Sequence, residues 1–89
     1  MASNPQTEPE YIRQFAKVVR GGTSSKVWRK YAQQIRAEIS NIKDSKIRGQ
    51  AEERFVKIDN YIFFLREEDS RNLIADDIEK FADFMSNII

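Results

Sequence analysis

Apolar residues recur along this chain at three- and four-residue intervals, and the recurrence is broken at Gly21-Gly22, Asp44-Ser45 and Asp69-Ser70. An interval averaging 3.6 residues is the signature of one buried helical face. Ile12, Phe15, Ala16 and Val19 form the first such stripe, on a helix predicted to run to about Arg20. The second stripe is the cleanest. Trp28, Tyr31, Ala32, Ile35, Ile39 and Ile42 fall within roughly 100° of a helical wheel, which predicts a helix over about Ser25–Lys43. Ile47, Ala51, Phe55, Ile58, Ile62 and Leu65 mark a third helix over about Lys46–Glu68, and Ile74, Ile78, Phe81, Met85 and Ile88 mark a fourth.

The breaks carry the residues that end and start helices. Glycine tolerates the left-handed conformation that closes a helix, and Thr23, Ser24 or Ser25 can then cap the next one. Asp44-Ser45 and Asp69-Ser70 offer similar caps, and Thr7-Glu8-Pro9-Glu10 reads as a capping box with proline in the first turn. Residues 1–7 are expected to form a flexible leader. Residues 8–89 are expected to form one all-α domain, a compact antiparallel bundle of about four helices with short connections. Three glycines and two prolines in 89 residues are too few turn signals for a many-stranded β fold.

Composition narrows the chemistry. The chain has no cysteine and no histidine, so the commonest nucleophile, general base and soft metal ligands are missing. Carboxylate-only catalysis remains open, but a non-catalytic binding protein without cofactor or small-molecule substrate is the expectation. No apolar run approaches the ~20 residues that span a bilayer, and the first ten residues have no signal-peptide pattern, so a cytoplasmic protein without membrane contact is expected.

The net charge of +1 hides an asymmetry. Tyr11–Arg48 holds ten basic residues against Glu38 and Asp44 alone, whereas Gly49–Ile89 holds ten acidic residues against five basic ones. Such a division points to a polyanionic partner. Lys26, Arg29, Lys30, Arg36 and Lys43 lie opposite the apolar stripe of the second helix, and Lys17 and Arg20 extend the basic surface onto the first. A surface of this kind attracts phosphate backbone through counterion release without reading sequence. The alternatives are a solvated face, an acidic protein partner, or a helix–turn–helix with Gly21-Gly22 as its turn and Ser25, Lys26, Arg29 and Lys30 near base edges. Trp28 and Tyr31 sit on the apolar stripe, where core packing is favoured over base stacking.

Two further features concern protein contacts. Val56 and Phe63 lie one heptad apart on the side of the third helix opposite its main stripe, and Ile89 closes an apolar end. These residues either belong to a central helix in a thin bundle or form a protein–protein patch. Asp76, Asp77, Glu79 and Asp83, with Glu67, Glu68 and Asp69, lack the spacing of a Ca²⁺ loop and read as a solvated acidic face rather than a metal site.

The stretch Thr23-Ser24-Ser25-Lys26-Val27-Trp28-Arg29-Lys30-Tyr31-Ala32-Gln33-Gln34-Ile35-Arg36 resembles the start of the second helix in the small helical subunits of multisubunit CRISPR effector complexes of the Cascade and Csm kind. Phe55–Ile62 is similar to their central Tyr-containing helix, and Leu73–Ile88 to their closing one. The likeness implies a non-enzymatic subunit that stacks in two or more copies beside larger subunits. It also implies support of the guide RNA–target duplex or the displaced strand through Lys26, Arg29, Lys30 and Arg36. The chain departs from that family in being short and lacking an extended N-terminal helix.

Overall fold

The computed structural model describes residues 8–64 and 68–88, and among them every regular element is helical. Helix α1 spans Glu8–Gly21, α2 Ser25–Ser40, α3 Ser45–Asp59 and α4 Glu68–Ile88, with a 3₁₀ segment over Asn60–Phe64. The all-α bundle expected from the apolar stripes is the fold observed. The proposed leader, the Thr7 cap, Leu65 and Ile89 lie outside the described residues.

Local chemistry sets the boundaries. Gly22 adopts φ 99°, and its amide donates to the Val19 carbonyl at 3.0 Å, turning the chain out of α1. Of the three candidate caps for α2, Ser24 is the one used: its backbone is extended and its Oγ accepts from the Val27 amide. Helix α2 stops at Ser40, three residues before the expected Lys43. The Asn41 and Ile42 amides bond three residues back, to Glu38 and Ile39, which tightens the final turn. Asp44 must also be extended to cap α3, where its carboxylate accepts from the Lys46 and Ile47 amides. Arg48 donates to the Ile42 carbonyl at 2.8 Å and closes the same corner.

The third helix was expected to be α-helical to Glu68, but it tightens into 3₁₀ geometry at Asn60. The run Tyr61-Ile62-Phe63-Phe64 consists of β-branched and aromatic residues, which lose side-chain freedom in an α-helix. Tyr61 also donates its hydroxyl to Asp77 of α4 at 2.9 Å, which holds the segment against that helix. Asp69 and Ser70, expected as a cap, instead fall inside the first turn of α4.

The core takes most of the predicted residues, though Ile47 is only half-buried. Ile12, Phe15, Ala16 and Val19 of α1 are buried with Trp28, Ala32, Ile35 and Ile39 of α2. Ala51, Phe55 and Ile58 of α3 join Ile74, Ala75, Ile78, Phe81, Ala82 and Met85 of α4. Tyr31, Ile42 and Ile62 only flank it, half-buried. Helices α1 and α4 make the most extensive pairing, and the small residues Ala16, Ala75 and Ala82 are all fully buried, as close interaxial approach requires. Their direction is visible in the ion pairs: Arg13 meets Asp83, while Arg20, seven residues later, meets Asp76 and Glu79, so the two helices run antiparallel. None of the described helices is long and apolar enough to cross a membrane.

Candidate nucleic-acid interface

Position on α2 follows from the anchoring of Trp28. Its ring is fully buried, packs edge-on against Phe15 at 4.8 Å, and donates Nε1–H to Asp59 Oδ1 at 2.8 Å. Phe15 also stacks on Tyr31 at 5.1 Å, and Tyr31 in turn meets Tyr11 at 5.0 Å. Trp28 is therefore a core residue, with no face open to a base. Fixing its side of the helix inward turns positions 26, 29 and 30 outward, and Lys26, Arg29 and Lys30 are all exposed.

These three cations occupy the first two turns of α2, and its first turn holds no acidic residue. The N-terminal end of a helix already carries positive potential from its unpaired amides. Cations placed there work against the helix dipole. The same placement concentrates positive potential at one end, where backbone amides and charged side chains can meet an anion together. Lys26, Arg29 and Lys30 form no ion pair among the described residues, and neither do Lys17 and Lys43.

The other basic positions are differently placed. Arg20 is shared between Asp76 at 3.0 Å and Glu79 at 3.2 Å, and hydrogen bonding to those two carboxylates raises its pKa further. Arg36 pairs with the second carboxylate oxygen of Asp59, and its guanidinium lies 5.9 Å from the centre of the Phe55 ring. Asp59 thus joins the Trp28 indole to the Arg36 guanidinium at the α2–α3 junction. Lys43 is in the turn after α2, off the helical stripe, and Lys17 stands on α1 between the paired Arg13 and Arg20. The expected seven-residue surface therefore contains a compact unpaired group of three, two isolated lysines and two arginines tied into the fold.

Sequence reasoning missed the acidic partners. Asp76, Glu79 and Asp83 repeat at intervals of three then four, and Arg20, Lys17 and Arg13 repeat identically in the reverse chain direction. That mirrored spacing was the available signal for an antiparallel charged seam. The residues proposed for protein contact also separate. Val56, 57% exposed, lines a groove of about 390 Å³ between α2 and α3 with Arg36, Ile39 and Phe55. Phe63, 81% exposed, projects from the 3₁₀ segment beyond the point where α-helical phase ends. No cluster of three or more possible metal-binding residues occurs among the described residues.

Compared with known protein families, curated proteins and solved structures, the chain matches none.

Proposed function

We propose that this protein is a non-catalytic module that binds nucleic-acid backbone through Lys26, Arg29 and Lys30 without reading sequence. The observation that carries the reading is the contrast within the basic half: Arg13, Arg20 and Arg36 are neutralised by partners in the fold, whereas these three remain exposed and unpaired at a helix N-terminus. Phosphate is the ligand that this combination of amides and cations favours. The likeness at Thr23–Arg36 supports a more specific setting, a cytoplasmic small subunit of an RNA-guided effector complex. There a guide RNA supplies specificity by base pairing and this chain supports the backbone.

The test is fluorescence anisotropy with mixed-sequence single-stranded RNA, single-stranded DNA and duplex, over a range of salt concentrations. Replacing Lys26, Arg29 and Lys30 with alanine should flatten the slope of log affinity against log salt by roughly 0.7–0.9 per cation removed. Absence of wild-type binding to all three at 50 mM salt overturns the proposal. Selection of one duplex sequence from a random pool overturns the sequence-independent reading in favour of a helix–turn–helix regulator. Co-purification with RNA and larger proteins from the native cell, lost in the triple variant, checks the effector-complex setting.

A further inference from the structure

Arg54 and Lys57 stand three residues apart on α3, and Lys80 stands on α4. All three are exposed, and all three line one groove of about 390 Å³ between those helices. They belong to the acidic half of the chain, so a count of charge along the sequence hides them. None of them forms an ion pair among the described residues.

The register of the two helices brings these cations together. Arg54 lies 4.2 Å from the centre of the Phe84 ring, and Tyr61 donates to Asp77 at 2.9 Å. Seven residues separate Arg54 from Tyr61, and seven separate Phe84 from Asp77. Lys57, three residues after Arg54, therefore comes opposite Lys80, four before Phe84. The seam between α1 and α4 has the same spacing but sets Arg13 on Asp83 and Arg20 on Asp76. One flank of α4 thus matches opposite charges, while the other sets like charges against each other. Like charges one helical turn apart, or facing across a groove, repel. An anion between them removes that repulsion.

Two carboxylates share the groove and do not cancel its three cations. Asp77 is at the Tyr61 end, bound to that hydroxyl, and Glu53 stands about 100° round the helix from Arg54. Ile58 and Phe81 are buried beneath the groove, so its cations rest on an apolar floor. A guanidinium held over a ring keeps its N–H edge for a second partner.

We infer that the Arg54–Lys57–Lys80 groove is a phosphate-binding site, with a lysine on either side of the phosphate and the Arg54 fork at its edge. Helices α2 and α4 each pack between α1 and α3, so this site is on a different flank from Lys26, Arg29 and Lys30. It does not rest on the function proposed for those three. A nucleic-acid backbone and a small phosphorylated compound present the same chemistry.

The test follows backbone amide shifts of the full chain during titration with sodium tripolyphosphate, against sodium chloride of equal ionic strength. Shifts specific to tripolyphosphate should include a group centred on residues 54–61 and 77–84. Lys57→Gln with Lys80→Gln, both at exposed positions, should weaken binding there by about tenfold or more. Lys80→Glu turns the seam into an opposite-charge one. It should abolish that binding and raise the melting temperature of the free protein by about 1–4 °C. Equal shifts in the two salts, an unchanged affinity in the double variant, or a Lys80→Glu chain no more stable than wild type would overturn the inference. So would shifts confined to residues 25–30, which leave the α2 reading standing. A mixed-sequence oligonucleotide that moves the groove amides and displaces tripolyphosphate identifies a strand as the source of the phosphate. One that leaves those amides unmoved identifies a small phosphorylated compound.

Discussion

Helices α1 and α2 both carry a row of cations, and they use it in opposite ways. On α1, Arg13 and Arg20 face Asp83, Asp76 and Glu79 of the neighbouring helix, so their charge is matched at the surface seam between two antiparallel helices. On α2, Lys26, Arg29 and Lys30 face no carboxylate, and the helix dipole adds to their potential. A count of charges along the chain treats the two rows alike. The difference lies in what each row packs beside, and it decides which of them is available to a partner.

The strongest way to break the contrast is to let α2 turn. Trp28→Ala removes the side chain that aims the helix, and loss of so large a buried aromatic should cost about 3–5 kcal/mol, measured by denaturant unfolding. Trp28→Phe retains most of the ring but leaves the Asp59 oxygen without its indole partner, which should cost about 1 kcal/mol. Next in size is the direct test of the α2 row. Alanine at positions 26, 29 and 30 should lower backbone affinity by about tenfold per cation at 50 mM salt, with unfolding stability changed by less than about 0.5 kcal/mol.

A smaller effect comes from converting the α1 row to the α2 kind. Replacing Asp76 and Glu79 with alanine releases Arg20, and backbone affinity should then rise by up to about tenfold at low salt. Unchanged affinity would show that Arg20 points away from the bound strand. The smallest effect contrasts permanent charge with a titratable contact. Hydrogen bonding to Asp77, with partial burial second, raises the Tyr61 pKa above 10.0. A raised folded-state value means that the stabilisation is complete below the unfolded value and is lost as pH rises through the folded one. Tyr61→Phe should therefore make the fall in stability above pH 10 shallower without removing it, since desolvation raises Tyr11 as well.

Much of the fold was legible because burial is periodic. Ile12, Phe15, Trp28, Ile35, Phe55, Ile78 and Phe81 all occupy the inward positions that their spacing assigns. Helix ends were less legible, since several adjacent residues could cap and only tertiary contacts choose among them. Arg48 on the Ile42 carbonyl and Tyr61 on Asp77 are such contacts, and they coincide with the two boundaries that differ most from expectation. The candidate site was legible as a set of cations and illegible as a surface. Arg20 and Arg36 have the same local pattern as Arg29, and the carboxylates that separate them are 23 to 59 residues away.

The chain contains one tryptophan, and it sits where an optical probe would be chosen to sit. Trp28 is fully enclosed, beside an aromatic ring and bonded to a carboxylate. Its emission should be blue-shifted and shielded from acrylamide in the native protein, and should shift red when the bundle opens. Ligands added to the outer face of α2 should leave that spectrum almost unchanged. Fluorescence can thus report folding separately from surface association, so that a variant defective in binding is distinguished from one that has unfolded in the same cuvette.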